Sequence, residues 1–205
     1  MFLKIIKVIA FPFLKLFLRY KVTYEAPLPE NGPVVLASKH ISALDPILLV
    51  ETYNRPIRFM AKAELFDIPV LKSVIKGFGA FPVRRGQGDL DALKSSMRIL
   101  KNGEVLGIMP EGHRIHGIED MKLKTGALNL AAKSKAVIVP VGLYTKNYTM
   151  KFFRKFEVRY GRPIPYEEYA PEGTDKQQLI DATETVLKKE IYRLSQKDYK
   201  PEKNK

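Results

Sequence analysis

Short apolar runs alternate with longer amphipathic stretches along most of the chain. The apolar runs, which are bounded by turn residues, predict strands at 34–37, 57–61, 78–83, 105–109, 136–141 and near 156–160. The stretches between them predict helices that start near residues 45, 69, 89 and 125. Strands that alternate with helices indicate an α/β fold, a single domain with a mostly parallel central sheet flanked by helices.

Three helix starts are predicted from capping residues. Asp45 before Pro46 predicts an aspartate N-cap followed by a proline in the first turn. Asp89 is predicted to cap a helix that runs to about residue 101, and Thr174 is predicted to open a capping box at the last helix. That last helix should turn one apolar face to the core, formed by Leu179, Val186, Leu187, Ile191 and Leu194.

Residues 1–24 combine aromatic, aliphatic and basic side chains without an acidic one. Their apolar runs are much shorter than the roughly 20 residues that a spanning helix needs. We therefore predict an N-terminal amphipathic, membrane-associated helical segment that lies on the bilayer surface. A cleaved signal peptide is a competing interpretation, although no small-residue cleavage site follows and Pro12 and Lys15 interrupt the apolar stretch. A helix packed on the domain's own core, with its basic residues in solvent, is another.

The balance of charged residues adds a constraint on the partner. A formal net charge of +13 predicts an anionic partner, which is nucleic acid, an anionic bilayer or a phosphorylated substrate. The chain has no cysteine, which excludes a disulfide, a thiolate nucleophile and a cysteine-based metal site. Charge alone does not choose among these partners.

Three polar clusters each follow a different predicted strand. They are residues 40–45, the pair Arg84 and Arg85, and residues 111–114. In an open parallel sheet the carboxyl ends of the strands share one edge, where ligands bind. The sequence therefore predicts that the three clusters meet at one crevice.

His40 and Asp45 stand five positions apart where a loop leads into a helix. A carboxylate that accepts a hydrogen bond from one imidazole nitrogen leaves the other nitrogen free as a general base near neutral pH. No nucleophilic side chain of the enzyme is needed if the substrate brings its own hydroxyl. Asp45 also suits a simple helix N-cap and His40 a polar loop position, and the two interpretations are compatible.

Four short motifs follow one another between residues 40 and 142. The first is a histidine, four residues and an aspartate, at His40 and Asp45, with Ser42 and Pro46 in and beside it. The others are GAFPVRR at 79–85, MPEGHR at 109–114 and VIVPVG at 137–142. In this order the motifs resemble those of the glycerolipid acyltransferase family, over about half of the chain.

Three positions depart from the common form of these motifs. Lys39 stands where Asn is common, Arg84 where Asp is frequent, and His113 where the family has Thr. Arg84 and His113 are the positions at which we expect any difference in acceptor choice to arise.

The resemblance implies a direct acyl transfer. His40 would remove the proton from the acceptor hydroxyl while that oxygen attacks the thioester carbonyl. Asp45 would orient the imidazole and stabilise its charged form. Backbone amides near the turn at 110–112 are candidate donors to the oxyanion, and Gly112 of that turn is a candidate substrate-binding residue.

The resemblance also implies which residues bind the substrate. Arg85 would grip the acceptor phosphate with its guanidinium fork, and its alternative is an ion pair with Glu111 or Asp89. Glu111 would either bind the glycerol backbone or hold Arg85 in position. Arg114 and Lys124 are further phosphate candidates, or are solvated surface residues.

The implied reaction moves a fatty acyl group from acyl-CoA or an acyl carrier protein to the sn-2 hydroxyl of 1-acylglycerol-3-phosphate, giving phosphatidic acid. No bound cofactor and no metal is expected, although His113 and His116 are close in sequence. The implied partners are an anionic membrane surface, lysophosphatidic acid and the acyl donor, and not nucleic acid. The implied location is the cytoplasmic face of the cell membrane, as a peripheral or monotopic protein.

Two alternatives stay open at this point. The acceptor could be another lysophospholipid, or the chain could be a basic nucleic-acid-binding or membrane-binding module without catalysis. For the acyltransferase we expect a membrane-surface segment at 1–24, the acyltransferase domain at 25–198 and a polar tail at 199–205.

Overall fold

A twisted sheet of seven strands forms the centre of the part of the chain described by the computed structural model, which comprises residues 12, 15–16, 19–84, 89–115, 117, 121–146, 153 and 155–201. The order across the sheet is β1-β7-β6-β2-β5-β3-β4. The strands are β1 (Tyr20–Tyr24), β2 (Val34–Ser38), β3 (Ile57–Lys62), β4 (Ala80–Val83), β5 (Val105–Ile108), β6 (Val137–Thr145) and β7 (Phe156–Tyr160).

Most neighbouring strands in the sheet are parallel. β6, β2, β5, β3 and β4 run in one direction, β7 pairs antiparallel with β6, and β1 pairs parallel with β7. The predicted α/β fold with a mostly parallel sheet is therefore confirmed. β6 extends to Thr145, four residues beyond its predicted end, because its second half pairs with β7.

The helices are close to their predicted positions, except for the short helix Tyr166–Tyr169, which the sequence did not predict. They are α1 (Asp45–Thr52), α2 (Pro69–Gly77), α3 (Leu90–Lys101), α4 (Gly126–Lys133), α5 (Tyr166–Tyr169), α6 (Lys176–Ala182) and α7 (Lys189–Leu194). A short 3-10 helix, Ala63–Phe66, precedes α2, and a π-helical stretch, Thr183–Lys188, joins α6 to α7.

Two predicted helix caps are wrong and one is confirmed. Asp89 caps α3 by accepting the N–H groups of Asp91 and Ala92. The N-cap of α1 is Leu44 rather than Asp45, whose side chain turns back to the preceding loop. The capping box of α6 is formed by Asp175 with Gln178 rather than from Thr174, one residue later than predicted.

The predicted boundary between residues 24 and 25 falls inside the folded domain. β1 occupies residues 20–24 and pairs with β7, so these five residues belong to the sheet and not to a membrane segment. The remainder of the predicted amphipathic segment lies outside the described residues, apart from residues 12, 15, 16 and 19. The predicted tail also begins within the domain, because the Tyr199 hydroxyl donates to Glu25 over 2.9 Å.

Side chains on the two faces of the sheet form two apolar clusters. β2 supplies both, since Val34 and Leu36 belong to one cluster and Val35 and Ala37 to the other. α1 covers the first cluster, and α3, α4 and α7 cover the second. A strand that is buried on both faces holds the loop after it firmly, and that loop carries His40.

Candidate active site

His40 follows directly on β2 and contacts the first helix through its ring. Lys39, between the strand and the histidine, extends the pairing with β6 by donating its N–H to the Val141 carbonyl at 3.2 Å. The His40 Nδ1 atom lies 2.9 Å from the Asp45 Oδ2 atom. The predicted pair is thus brought together at the carboxyl edge of the sheet.

Asp45 is fully buried, and one of its oxygens collects three N–H groups. Oδ2 accepts the backbone N–H of Ile41 at 2.7 Å and that of Ser42 at 2.8 Å, in addition to the imidazole. An oxygen that accepts two amides acts as an acceptor toward the ring as well, so Nδ1 carries the hydrogen and Nε2 keeps its lone pair. Burial raises the pKa of the Asp45 carboxyl, and these hydrogen bonds oppose that rise.

Glu111 ties the loop after β5 to the loop that carries His40. Its Oε1 atom accepts the His40 backbone N–H at 3.4 Å, and the His40 carbonyl accepts the N–H of Ile115 at 2.9 Å. The turn that presents Glu111 is closed by the N–H of Gly112 donating to the Met109 carbonyl, with Gly112 at φ +75°. The histidine backbone is therefore held from both sides by residues 111–115.

The Glu111 carboxyl is 1 % exposed and titrates far above its usual range. Burial raises its pKa to about 7, and the Asp45 charge adds to that rise. Hydrogen bonds from its own N–H and from the His40 N–H, together with the charge of Lys39, oppose it. The Glu111 carboxyl, which contacts the His40 loop, is therefore expected to change between its protonated and ionised forms near neutral pH.

A cavity of about 420 Å³ lies beside His40. Its polar wall includes His40, Arg84, Asp89 and Lys124. Its apolar wall is formed by β3, β4, β5, α3 and α4 through Met60, Val83, Ala92, Ile108, Ala127 and Leu130. The lining of the cavity thus combines basic, hydrogen-bonding side chains with hydrocarbon-like ones.

The predicted substrate-binding residues divide into three groups. Lys124 and Gly112 both line the cavity, and glycine is favoured at position 112 by its positive φ. Arg114 is exposed and is not among the cavity-lining residues. Arg85 lies outside the described residues, so its predicted phosphate contact stays a prediction.

One N–H group of the predicted oxyanion turn is already engaged. The Gly112 N–H closes the turn by donating to the Met109 carbonyl, and Pro110 has no N–H. The prediction that backbone amides near this turn donate to the oxyanion stays a prediction.

Arg84 is the cavity residue that the sequence reasoning left out of the site. Its N–H donates to the Asp89 carboxylate at 2.6 Å, and this bond is the main reason why the pKa of Asp89 is lowered. The side chain is exposed and lines the cavity. The signal for it was its departure from the aspartate that is frequent at this motif position.

Neither a metal cluster nor a spanning helix emerges from the described ranges. No group of three or more His, Asp or Glu side chains in that part of the chain is placed to hold a metal ion. No helix among those same residues is long and apolar enough to cross a bilayer. The groups that the site offers for chemistry and binding are thus an imidazole base, cationic side chains and an apolar cavity wall.

Comparison with known proteins places these features in context. A sequence profile of the family described as Acyltransferase matches residues 19–144. The 1-acyl-sn-glycerol-3-phosphate acyltransferase of Bacillus subtilis is 33% identical over 169 residues, which cover 81% of this chain and 83% of that protein. The protein of the same name from Borreliella burgdorferi is 31% identical over 63% of this chain, but the match spans only 53% of that protein.

A solved structure shares the fold. The crystal structure of the 1-acyl-sn-glycerophosphate acyltransferase of Thermotoga maritima superposes with a TM-score of 0.68, over 94% of this chain and 79% of that one. The two sequences are 23% identical, so this likeness speaks for the fold alone.

Proposed function

We propose that this chain, which belongs to the acyltransferase family, is a 1-acylglycerol-3-phosphate O-acyltransferase that forms phosphatidic acid from lysophosphatidic acid and an acyl thioester. The observation that carries the proposal is the His40 and Asp45 pair at the polar end of an apolar cavity. The names of the relatives support the choice of acceptor.

The base in this reaction is the free Nε2 atom of His40. It takes the proton of the sn-2 hydroxyl as the hydroxyl oxygen attacks the thioester carbonyl carbon. Collapse of the tetrahedral intermediate breaks the carbon–sulfur bond, and the departing thiolate takes the proton from the imidazolium. Asp45 keeps the ring oriented and stabilises its positive charge, as the carboxylate of a triad does.

The substrate hydroxyl takes the place that a serine holds in a hydrolase triad. The chain has no cysteine, and the Ser42 hydroxyl oxygen accepts the Leu44 N–H. Both observations agree with the proposed direct transfer, without an acyl-enzyme. Glu111 acts as a positioning residue, because it receives the backbone N–H of His40.

The cavity suits the phosphate of the acceptor and the acyl chain of the donor thioester. Lys124 and Arg84 line it and, with Arg85 as the next residue in the sequence, provide cations for the phosphate. The apolar wall formed by Met60, Ile108 and Leu130 suits an acyl chain. No bound cofactor takes part in the proposed reaction.

The donor and the location belong to the same proposal. Acyl-CoA and an acyl carrier protein both present the thioester that the mechanism requires. A net charge of +13 and the basic, aromatic composition of residues 1–24 favour an anionic membrane surface, and we place the protein peripherally or monotopically on the cytoplasmic face.

One observation favours a second acceptor. Arg84 lines the cavity where the resemblance would put an aspartate, and exchanging a carboxylate for a guanidinium alters which headgroup the cavity attracts. Another anionic lysophospholipid is therefore the alternative acceptor. Family membership argues against the alternatives without catalysis.

The test is product identification with purified protein in lipid vesicles. Lysophosphatidic acid, lysophosphatidylglycerol and lysophosphatidylcholine are each offered with acyl-CoA or with acyl carrier protein, and products are identified by mass spectrometry. Phosphatidic acid formed faster than the other diacyl lipids supports the proposal. Preferential acylation of lysophosphatidylglycerol would replace it with the second acceptor.

A further inference from the structure

Exposed aliphatic side chains are concentrated in one part of the described chain. Among the described residues, six large aliphatic side chains are exposed by more than a third. One is Leu16, and the other five fall between residues 65 and 93. These five, named here the apolar rim, are Leu65, Ile68, Val70, Leu90 and Leu93. Val70 is 76% exposed and Leu90 is 66% exposed, so they are open to solvent rather than half-covered.

The apolar rim lies at the same edge of the sheet as the candidate active site. β3 and β4 are adjacent and parallel, and the rim residues belong to the segments that leave the carboxyl ends of these two strands. Leu90 and Leu93 are the immediate neighbours of Asp89 and Ala92, which line the cavity. The α3 part of the rim is therefore next in sequence to the cavity lining, and the rest of the rim leaves the same edge of the sheet.

The rim does not contribute to the packing of the fold. None of its residues belongs to either core cluster, and α2, which carries Val70, has no buried residue at all. Exposed apolar side chains that have no interaction partner are usually scattered singly over a protein surface. A group of them near a ligand cavity is instead typical of an interaction site.

Cations stand among these aliphatic residues. Among the described residues from 62 to 94, five exposed cations, Lys62, Lys72, Lys76, Arg84 and Lys94, outnumber the three exposed carboxylates, Glu64, Asp67 and Asp91. Aliphatic side chains beside lysines and arginines match an anionic bilayer, whose surface attracts the cations while its interior takes up the apolar groups.

We propose that the apolar rim docks on an anionic lipid bilayer, so that the cavity opens at the membrane surface. The inference rests on the proposed function, because lysophosphatidic acid and phosphatidic acid both reside in the bilayer. A cavity that opens there lets an acyl chain enter without passing through water, where each methylene is unfavourable. The rim is thus a second contact besides the basic segment that precedes β1.

A fluorescent label tests the contact directly, because the chain has no cysteine of its own. A polarity-sensitive fluorophore is attached to the full chain at Ile68→Cys, and in the matched control at Tyr192→Cys, which is 44% exposed on α7. Vesicles of phosphatidylglycerol and phosphatidylcholine, with and without a lipid-borne quencher, are then added. Blue-shifted, quenched emission at position 68 and unchanged emission at position 192 are expected.

Equal responses at the two positions would overturn the proposal. So would a label at position 68 that is already blue-shifted without vesicles and responds to protein concentration, because a second copy of the chain would then cover the rim. A blue-shifted label that is independent of concentration and of vesicles would mean that another segment of this chain covers it.

Variants measure how much the rim contributes. Ile68→Ser with Val70→Ser should lower partitioning onto the same vesicles by about tenfold, whereas Tyr192→Ser should leave it unchanged. Unaltered partitioning of the double variant, with its fold verified by circular dichroism, would contradict the proposal. Neither readout requires turnover, so a failed acylation assay would overturn the proposed function without changing these outcomes.

Discussion

At the scale of single residues, the candidate site depends on how Asp45 is solvated. A fully buried carboxylate is unfavourable unless donors surround it, and the Ile41 and Ser42 amides supply two of them. Only a loop that curls back over four residues places these amides and the His40 ring on one oxygen. The spacing of the motif is therefore a requirement of hydrogen bonding as well as of chemistry.

Glu111 gives a prediction about stability and pH. Burial raises its pKa from 4.5 to about 7, so between these values the folded chain holds a proton that the unfolded chain has lost. Through this group the intact protein loses stability as pH rises from 4.5 to 7. Glu111→Gln removes the ionisation, and the free energy of unfolding of the variant relative to the intact protein should rise by about 2.5 kcal/mol between pH 5 and pH 8.

Urea unfolding followed by circular dichroism at the two pH values measures this difference. Glu64→Gln, at an exposed carboxyl, is the control and should show no such change. A Glu111→Gln variant whose relative stability is the same at pH 5 and pH 8 would contradict the raised pKa.

The sequence predicted the pair of His40 with Asp45 but not the partners that hold it. The pair is local, within five residues, and the motif resemblance identified it. The bond from the His40 N–H to Glu111 joins residues 71 apart, and it depends on how the loops after β2 and β5 approach each other. Nor did the sequence show that the Gly112 amide would be engaged within its own turn.

At the scale of elements, α7 packs closely against β6 at Gly142. A Cβ on Gly142 would lie 2.4 Å from the Leu194 backbone carbon, which is too close for any side chain. Gly142→Ala should therefore destabilise the fold by about 2 kcal/mol and lower the melting temperature by about 6 °C. Gly126→Ala in α4 meets nothing within 4 Å and should keep or slightly raise the melting temperature.

Differential scanning calorimetry of the two alanine variants compares them directly. Equal melting temperatures would mean that α7 is free to move away from β6 at no cost. The core assigned to Ile191 and Leu194 would then be looser than their complete burial indicates.

Leu130 on α4 tests the role of the cavity. Leu130→Ala removes side-chain volume from the apolar wall and so enlarges the cavity. The variant should therefore prefer a thioester with a longer acyl chain than the intact protein does. Leu128→Ala, in the same helix but fully buried and away from the cavity wall, is the matched control and should lose stability without a change in preference. Competition between thioesters of different acyl-chain length measures the preference. An equal shift in both variants would show that the cavity does not select the chain length.

The elements that the sequence missed have a common physical cause. β1 stands at the edge of the sheet with its residues only partly buried, so its polar and apolar alternation is masked by the basic segment before it. The second half of β6 and the π-helical stretch from Thr183 to Lys188 depend on tertiary pairing and packing. The strands β2 and β5, which are buried on both faces, were predicted well because continuous apolar runs mark them.

At the scale of the whole molecule, topology and charge act together. The strands with the site residues point their carboxyl ends at one edge, where β2 delivers His40 and β5 delivers Glu111. The chain carries a net charge of +13, and an anionic surface therefore attracts it as a whole.

Association with anionic vesicles should therefore depend strongly on salt. The Debye length falls from about 10 Å at 0.1 M salt to about 3 Å at 1 M, so the bound fraction should drop steeply over this range. Co-sedimentation with phosphatidylglycerol vesicles measures it, and neutral phosphatidylcholine vesicles serve as the control. Binding that is equally strong at both salt concentrations would show that charge plays no part.

The central claim is that His40 is the base of a direct acyl transfer. His40→Ala should lower kcat by about 10³-fold with lysophosphatidic acid and an acyl thioester in vesicles, because a positioned base contributes about 10² to 10⁴ in rate. His113→Ala removes an exposed histidine of the neighbouring turn and should retain activity. Equal activity of the two variants would contradict the assignment of His40 and the mechanism built on it.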